Sequence, residues 1–388
     1  MSIEPDTKDW TWVLDRPCPE CGYVAGDVTA DRLGELVRDN ATAWEGALDA
    51  PGVRERPAPG VWSTLEYACH VRDVHRIFAG RLRLMLEAPE GEVPRFPNWD
   101  QDETAVEGRY GEQDPAMVGE ELLDAAADVA SVYDTVPPGA WGRRGLRSNG
   151  SEFSVESLGR YHLHDVVHHL RDVELGAKAA TIAAYDGAAQ IYGGDEINEA
   201  LRSVLDRFLQ LLQPGAHVLE VGSGHGRDAR ALETGGCRVR RTDITPGFVE
   251  RLRAAGHSAD VVDPLTDDLR DPAAPEVPYD AVWASACLLH VARADLPIVL
   301  ERLAAVTRPG GALHVSLKEG DGEDWSTHGT VAAPRRFVYW REAPLRDALA
   351  TAGWEVLEVG RSTGHTVGRA SENWLDVLAR RADTGARP

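Results

Sequence analysis

Lysine is nearly absent, with three in 388 residues, and even with arginine the basic side chains number only 41 against 63 acidic ones. The formal net charge of -22 argues against DNA, RNA and anionic membranes as partners, because binding to phosphate surfaces rests on cationic neutralisation. Cysteine is scarce too. Five thiols (Cys18, Cys21, Cys69, Cys237 and Cys287) are too few and too scattered for a disulfide framework and are read as reduced. No run of 18 or more apolar residues occurs, and "MSIEPDTKDWTW" carries neither a basic nor an apolar leader segment, so the expected location is the cytoplasm. One CxxC is present and no second, which excludes a zinc site built from two such pairs.

What is there suits a soluble protein with two cores. The chain is longer than a single core of about 250–300 residues, and it is 43% hydrophobic and 27% charged. Residues up to about 180 read as helices joined by polar, Pro-rich loops. "TADRLGELVRDNATAWEGALDA" opens at a Thr/Asp cap, and "WSTLEYACHVRDVHRIFAGRLRLMLEA" follows with Ser63 as N-cap and Glu66 completing a capping box. A third helix lies near "PAMVGEELLDAAADVASVYDTV" and a fourth over about 155–177. Four amphipathic segments predict a four-helix bundle.

Beyond residue 180 the texture changes, and the seam is placed near residues 176–183. "HVLEVGSGHGRDARAL" reads as strand, Gly-rich turn and helix, and strand-like "RVRRTD", "SADVVDP", "YDAVWAS", "GALHVSLK" and "WEVLEV" alternate with helical segments. That alternation predicts a Rossmann-like, parallel, doubly wound α/β sheet. Glu220 lies near the end of the strand, and Gly222, Gly224 and Gly226 follow at alternate positions. Glycines there let the backbone approach a ligand, and the next helix offers free N–H groups. Asp243 ends the second strand about 20 residues on, where a carboxylate can accept ribose hydroxyls. Asp263 ends the third.

These residues resemble the class I S-adenosylmethionine-dependent methyltransferases over about residues 180–380. The resemblance rests on "VLEVGSGHG", Asp243, Asp263, the fourth-strand segment "YDAVWASACLLHV" and the "RPGG" turn in "LAAVTRPGGALHVSLKEGDGE". It implies S-adenosyl-L-methionine as cofactor, with Tyr192, Glu220, Gly222, Gly224, Gly226, Asp243, Asp263 and Ser285 around it. Little acid-base chemistry is compulsory for transfer from a sulfonium. His290, just past the fourth strand, is the candidate general base, against the reading that it only fixes a loop. Glu319 is the candidate for holding an acceptor amine, and Arg336, Tyr339 and Trp340 are placed to line the acceptor side.

The stretch "RYHLHDVVHHLRDV" holds four histidines in eight positions. On a helix His164 and His168 lie about 40° apart and about 6 Å from each other, close enough to share an ion. His162 and His169 are about 10 Å apart along the axis and cannot. A third ligand must come from another helix, where His70 and His75, about 140° apart, leave at most one facing the pair. Such a site suits zinc first, or another divalent metal.

"WSTLEYACHVRDV", the histidine helix and the loop "NWDQDE" resemble the DinB-like thiol-transferase superfamily, which includes mycothiol-dependent maleylpyruvate isomerases, over about residues 28–178. The resemblance implies one metal histidine on the second helix, here His70, with the His164/His168 pair. Sulfoxide synthases that share this domain resemble H-x-x-x-H-x-E, but Leu170 stands where the acid would be. The pair Cys18 and Cys21 is read as pinning the N-terminal segment, or as a reactive dithiol.

The expected organisation is an N-terminal segment with the CxxC (1–27), a DinB-like metal-binding bundle (28–178) and a class I methyltransferase domain (179–383). The expected activity is methylation of a small-molecule acceptor, with thiol-related compounds among the acceptors considered. Two alternatives stand beside it: a metal-dependent thiol transferase or isomerase in the bundle, or a bundle that senses metal or thiol and regulates the methyltransferase. Acceptor and oligomeric state are not legible.

Overall fold

The computed structural model describes residues 9–58, 60–194, 196–327, 329–364 and 372–383. The chain divides into two compact units, Met1–Gly176 and Ala177–Pro388.

The first unit is helical. Its elements are α1 (Leu33–Leu48), α2 (Thr64–Glu87), β1 (Arg95–Phe96), α3 (Gln101–Glu107), α4 (Pro115–Asp134), β2 (Arg144–Arg147), β3 (Glu152–Ser154) and α5 (Val155–Ala188), inside which the division falls. Helix α2 starts where its sequence says it should. Ser63 Oγ accepts the Glu66 N–H at 3.2 Å and Glu66 Oε2 accepts the Ser63 N–H at 2.8 Å, which satisfies two of the donors a helix start leaves open. Helix α1 differs from expectation: a 3-10 turn, Ala30–Arg32, precedes it and no side chain caps it. Leu33, Trp44, Leu65, Leu82, Leu122 and Leu158 fill a shared core, where α4 packs on α1 and α2. The loop after α2 contributes the short α3 and, with the segment before α5, a three-stranded sheet ordered β1-β2-β3.

The second unit is built on a sheet. After α6 (Glu199–Gln210) come β4 (His217–Val221), α7 (Arg227–Thr234), β5 (Arg238–Asp243), α8 (Pro246–Ala254), β6 (Ala259–Val261), β7 (Tyr279–Ala284), α9 (Leu296–Val306), β8 (Thr307–Lys318), β9 (Glu323–Ser326), β10 (Arg335–Val338), α10 (Glu342–Thr351), β11 (Trp354–Gly364) and β12 (Glu372–Arg381). Seven strands pair in the order β11-β12-β8-β7-β4-β5-β6. Five of them, β6 to β8 across the sheet, run parallel. The sheet has the expected doubly wound, Rossmann-like form, and at one edge β12 lies antiparallel between β8 and β11, because β12 pairs directly with the strand before it in the chain and so runs opposite to it. The chain order reverses between β4 and β7, and the crevice at the C-terminal ends of strands beside such a reversal is where open α/β sheets bind ligands.

No helix among the described residues is long and apolar enough to cross a membrane.

Candidate functional site

In the second unit, the turn leaving β4 sits at that reversal. Gly222, Gly224 and Gly226 all have positive φ, at 70°, 54° and 82°, a region side chains other than glycine enter at a cost. At Gly222 space is also closed: a Cβ would stand 2.3 Å from Cys287 Cβ. Above Gly224 it is open, with nothing within 4 Å of a Cβ. Asp243, buried at the end of β5, reaches back to this turn. Its Oδ2 accepts the Gly224 N–H and its Oδ1 the Thr245 N–H, each at 2.8 Å. Burial raises its carboxyl above the ordinary range, against the pull of those N–H groups.

Glu220 is 1% exposed, and its Oε2 has no hydrogen-bond partner among the described residues. Burial lifts its carboxyl to about 8, so it is largely protonated at neutral pH. Tyr192 packs on Phe248, ring centroids 5.2 Å apart, and its carbonyl accepts from Arg251 at 2.7 Å. Asp263 pairs with Lys178 and accepts the Leu265 N–H at 3.0 Å. Ser285 is half-buried directly after β7. A buried carboxylic oxygen, Glu220 Oε2, without a hydrogen-bond partner among the described residues and an open cradle above Gly224 fit a bound cofactor at this turn.

His290 is held at both nitrogens. Nδ1–H donates to the Arg336 carbonyl at 2.5 Å, which leaves Nε2 to accept from the Tyr185 hydroxyl at 2.9 Å. Desolvation, together with Arg335, Lys318 and Arg336, lowers its pKa to about 4, so the ring is neutral and weakly basic. Glu319 makes an ion pair with Arg361 at 3.2 Å. Arg336 and Trp340 are buried beside them, and Tyr339 donates its backbone N–H to Gly322 at 3.0 Å.

In the first unit the histidines separate into three groups. His162 and His75, both wholly buried, share a 3.0 Å hydrogen bond, and Tyr133 lies 2.9 Å from the other nitrogen of His162; this chain belongs to the core. The expected triad of His70, His164 and His168 is divided. His164 and His168 do stand together, ring centroids 5.3 Å apart, but their potential co-ligands are Cys18 and Cys21. His70 instead meets Asp165 and His169, the three donor atoms lying within 4.8 Å of one another. The reason is rotational: Asp165 and His169 repeat the four-residue spacing one position on, about 100° around α5, and that stripe faces α2. Both His70 and His75 point inward, since α2 is buried along much of its length.

His70, Asp165 and His169 are grouped so that they could hold a metal ion. His70 Nε2 lies 3.3 Å from Asp165 Oδ1, and His169 Nε2 3.7 Å from the same oxygen. His169 Nδ1 lies 3.1 Å from Asp172 Oδ2, the kind of carboxylate contact that orients a ligating imidazole. Burial acts to raise the Asp165 carboxyl, but the His70 hydrogen bond and the neighbouring imidazoles hold it well below the usual carboxylate range. Two imidazoles and a carboxylate leave coordination positions open on zinc. They adjoin a cavity of about 830 Å³, whose walls include Trp62, Tyr67, Trp99 and Asp165.

Reasoning from sequence missed Asp165, His169 and the cysteines as partners. The usable signal was the D-x-x-x-H register that overlaps H-x-x-x-H.

Comparison with known proteins agrees with this division. Residues 34–173 match the DinB superfamily model, and residues 194–359 match the methyltransferase domain model. Malonyl-[acyl-carrier protein] O-methyltransferase of Serratia marcescens is 31% identical over 140 residues, 35% of this chain and 51% of that protein. Ubiquinone biosynthesis O-methyltransferase of Xylella fastidiosa is 33% identical over 104 residues, 26% and 42% of the two chains. The match thus spans about half the length of these curated relatives. Among solved structures, 1,6-didemethyltoxoflavin-N1-methyltransferase of Burkholderia thailandensis is 21% identical, with 53% of this chain and 87% of that one covered at a TM-score of 0.41. The chain therefore joins a domain of the DinB superfamily to a methyltransferase domain.

Proposed function

We propose that the second unit transfers a methyl group from S-adenosyl-L-methionine to an oxygen of a small, anionic acceptor. The observation that carries this reading is the turn after β4, with three glycines at positive φ, open space over Gly224 and Asp243 tied to the Gly224 N–H. Gly222, Gly224 and Gly226 would hold the cofactor, with Asp243, whose oxygens each keep a second lone pair for a ribose hydroxyl. Tyr192, Glu220, Asp263 and Ser285 complete the set. The cofactor, when bound, supplies a sulfonium methyl that is already electrophilic.

The chain's own task is then to orient the acceptor and exclude water. His290, neutral and engaged at both nitrogens, serves as a positioning group rather than a strong base, which favours an acceptor that arrives ionised. The two relatives described above are named for oxygen methylation, whereas another, of Halorhodospira halochloris, is named a sarcosine/dimethylglycine N-methyltransferase, so the choice of oxygen rests on the neutral, engaged His290. Glu319, paired with Arg361, acts on the shape of the site and not as an amine holder. Incubating the full chain and a cell extract with methyl-labelled cofactor, then resolving metabolites by mass spectrometry, tests the proposal; a labelled carboxylate ester or aryl ether supports it, and label found only in N-methyl products overturns the acceptor class.

A second reading concerns the first unit. His70, Asp165 and His169 beside their cavity favour a divalent metal, zinc first, that would bind a thiol or water and lower its pKa. Thiol conjugation measured on the full chain before and after chelation tests that reading.

A further inference from the structure

We infer that Cys18, Cys21, His164 and His168 form a second, closed metal site, a Cys2His2 zinc centre that fastens the N-terminal segment to α5. It is separate from the His70 cluster and shares no ligand with it. It also stands independently of the methyl-transfer reading.

The geometry begins in the loop. Residues 18–22 read C-P-E-C-G, and the turn closes on itself: Gly22 N–H donates to the Cys18 carbonyl and Cys18 N–H to the Tyr23 carbonyl, both at 2.9 Å. Gly22 sits at φ +76°, a conformation the turn requires and glycine supplies without strain. The turn sets both sulfurs on one side, toward α5. There His164 and His168 present imidazoles from successive turns, and Cys18 Sγ lies 3.7 Å from His168 Nδ1.

All four donor atoms lie within 4.8 Å of one another. Tetrahedral zinc with bonds of about 2.3 Å to sulfur and 2.0–2.1 Å to nitrogen needs donors roughly 3.3–3.8 Å apart. Closure by about 1–1.5 Å is enough. The donor set is the one that selects zinc, two thiolates balancing the ion's charge in a buried place.

Two further observations point to a missing partner. His164 is buried, and its Nε2 has no hydrogen-bond partner among the described residues, an arrangement that burial ordinarily penalises. His168 Nε2 lies 3.4 Å from Glu20 Oε2, so the nitrogen turned away from the cysteine is steadied by a carboxylate, as in metal-ligating histidines. Trp10 covers both rings, at 5.6 and 5.0 Å, and Tyr23 flanks His164 at 5.5 Å. Four protein ligands leave no open position, so the role is structural.

Cobalt substitution of the full chain tests this directly, because only a thiolate-bound cobalt gives an intense near-ultraviolet charge-transfer band. The expected result is that band in the wild-type protein, its loss with one metal equivalent in the Cys18→Ser/Cys21→Ser double variant, and its retention in His70→Ala. Should the double variant fail to fold, thiol labelling of wild-type protein decides: two more cysteines should react after a strong chelator strips the metal. Cobalt bound without a thiolate band, equal thiol reactivity with and without chelator, or a Cys18–Cys21 disulfide in protein purified with its metal would overturn the inference.

Discussion

Asp243 accepts the Gly224 N–H through Oδ2 at 2.8 Å, so the acid at the end of β5 holds the turn that leaves β4. Replacing it by Asn puts an N–H2 against one of two backbone donors. We predict a stability loss of about 1–3 kcal/mol from the unsatisfied donor and a cofactor affinity at least roughly tenfold weaker, about 1.4 kcal/mol. Thermal melts and calorimetric titration of Asp243→Asn check both.

Gly222 and Gly224 should respond differently to alanine. At Gly222 the added Cβ meets Cys287 at 2.3 Å, so Gly222→Ala should lower stability by more than the ~1–2 kcal/mol of left-handed strain. At Gly224 the Cβ enters open space. Gly224→Ala should therefore show the strain alone, with cofactor affinity falling out of proportion to the melting temperature.

Glu220 predicts a pH dependence. Its folded-state pKa, raised from 4.5 to about 8, means the folded protein holds a proton that the unfolded chain releases between those values. Glu220's contribution to stability then falls as pH rises from about 4.5 to about 8. That is opposite in sign to the contribution of buried histidines such as His290, whose lowered pKa adds stability as pH rises from about 4 to 6.5. Urea midpoints of the wild type and of Glu220→Gln across that window isolate it: the wild-type-minus-variant difference should decline with rising pH.

Much of this was legible because local chemistry decided it. Ser63 and Glu66 announced the start of α2, and the glycines, Asp243 and the alternating texture announced the sheet. What was not legible depends on which faces meet. Periodicity groups His164 with His168, but Asp165 with His169 is an equally good pair, and only the packed bundle shows that the latter faces His70. The cysteines looked like half a site when only a second CxxC was sought, because their neighbours come from a helix over 140 residues away. Strand β12 went unseen for a similar reason: nothing local in "ENWLDVLARR" says that it inserts between β8 and β11.

His290 carries a prediction about mechanism. Because its pKa lies near 4, the rate of methyl transfer should show no ionisation limb near 6.5. His290→Ala removes hydrogen bonds to Tyr185 and Arg336, and should cost about 1–3 kcal/mol of stability. A limb near 6.5 that disappears in that variant would instead make His290 the base.

At the His70 cluster, His169→Ala should remove one metal equivalent from the full chain, measured by elemental analysis. Asp172→Asn, which only alters the carboxylate beside His169 Nδ1, should weaken metal binding roughly 10–100-fold.

The central claim is that the turn after β4 binds S-adenosyl-L-methionine. Calorimetric titration of the full chain with that cofactor tests it most directly: saturable heat at one equivalent per chain, abolished in Gly222→Arg protein that still melts cooperatively, is the predicted result, and an absence of heat, or binding unchanged in that variant, would contradict it.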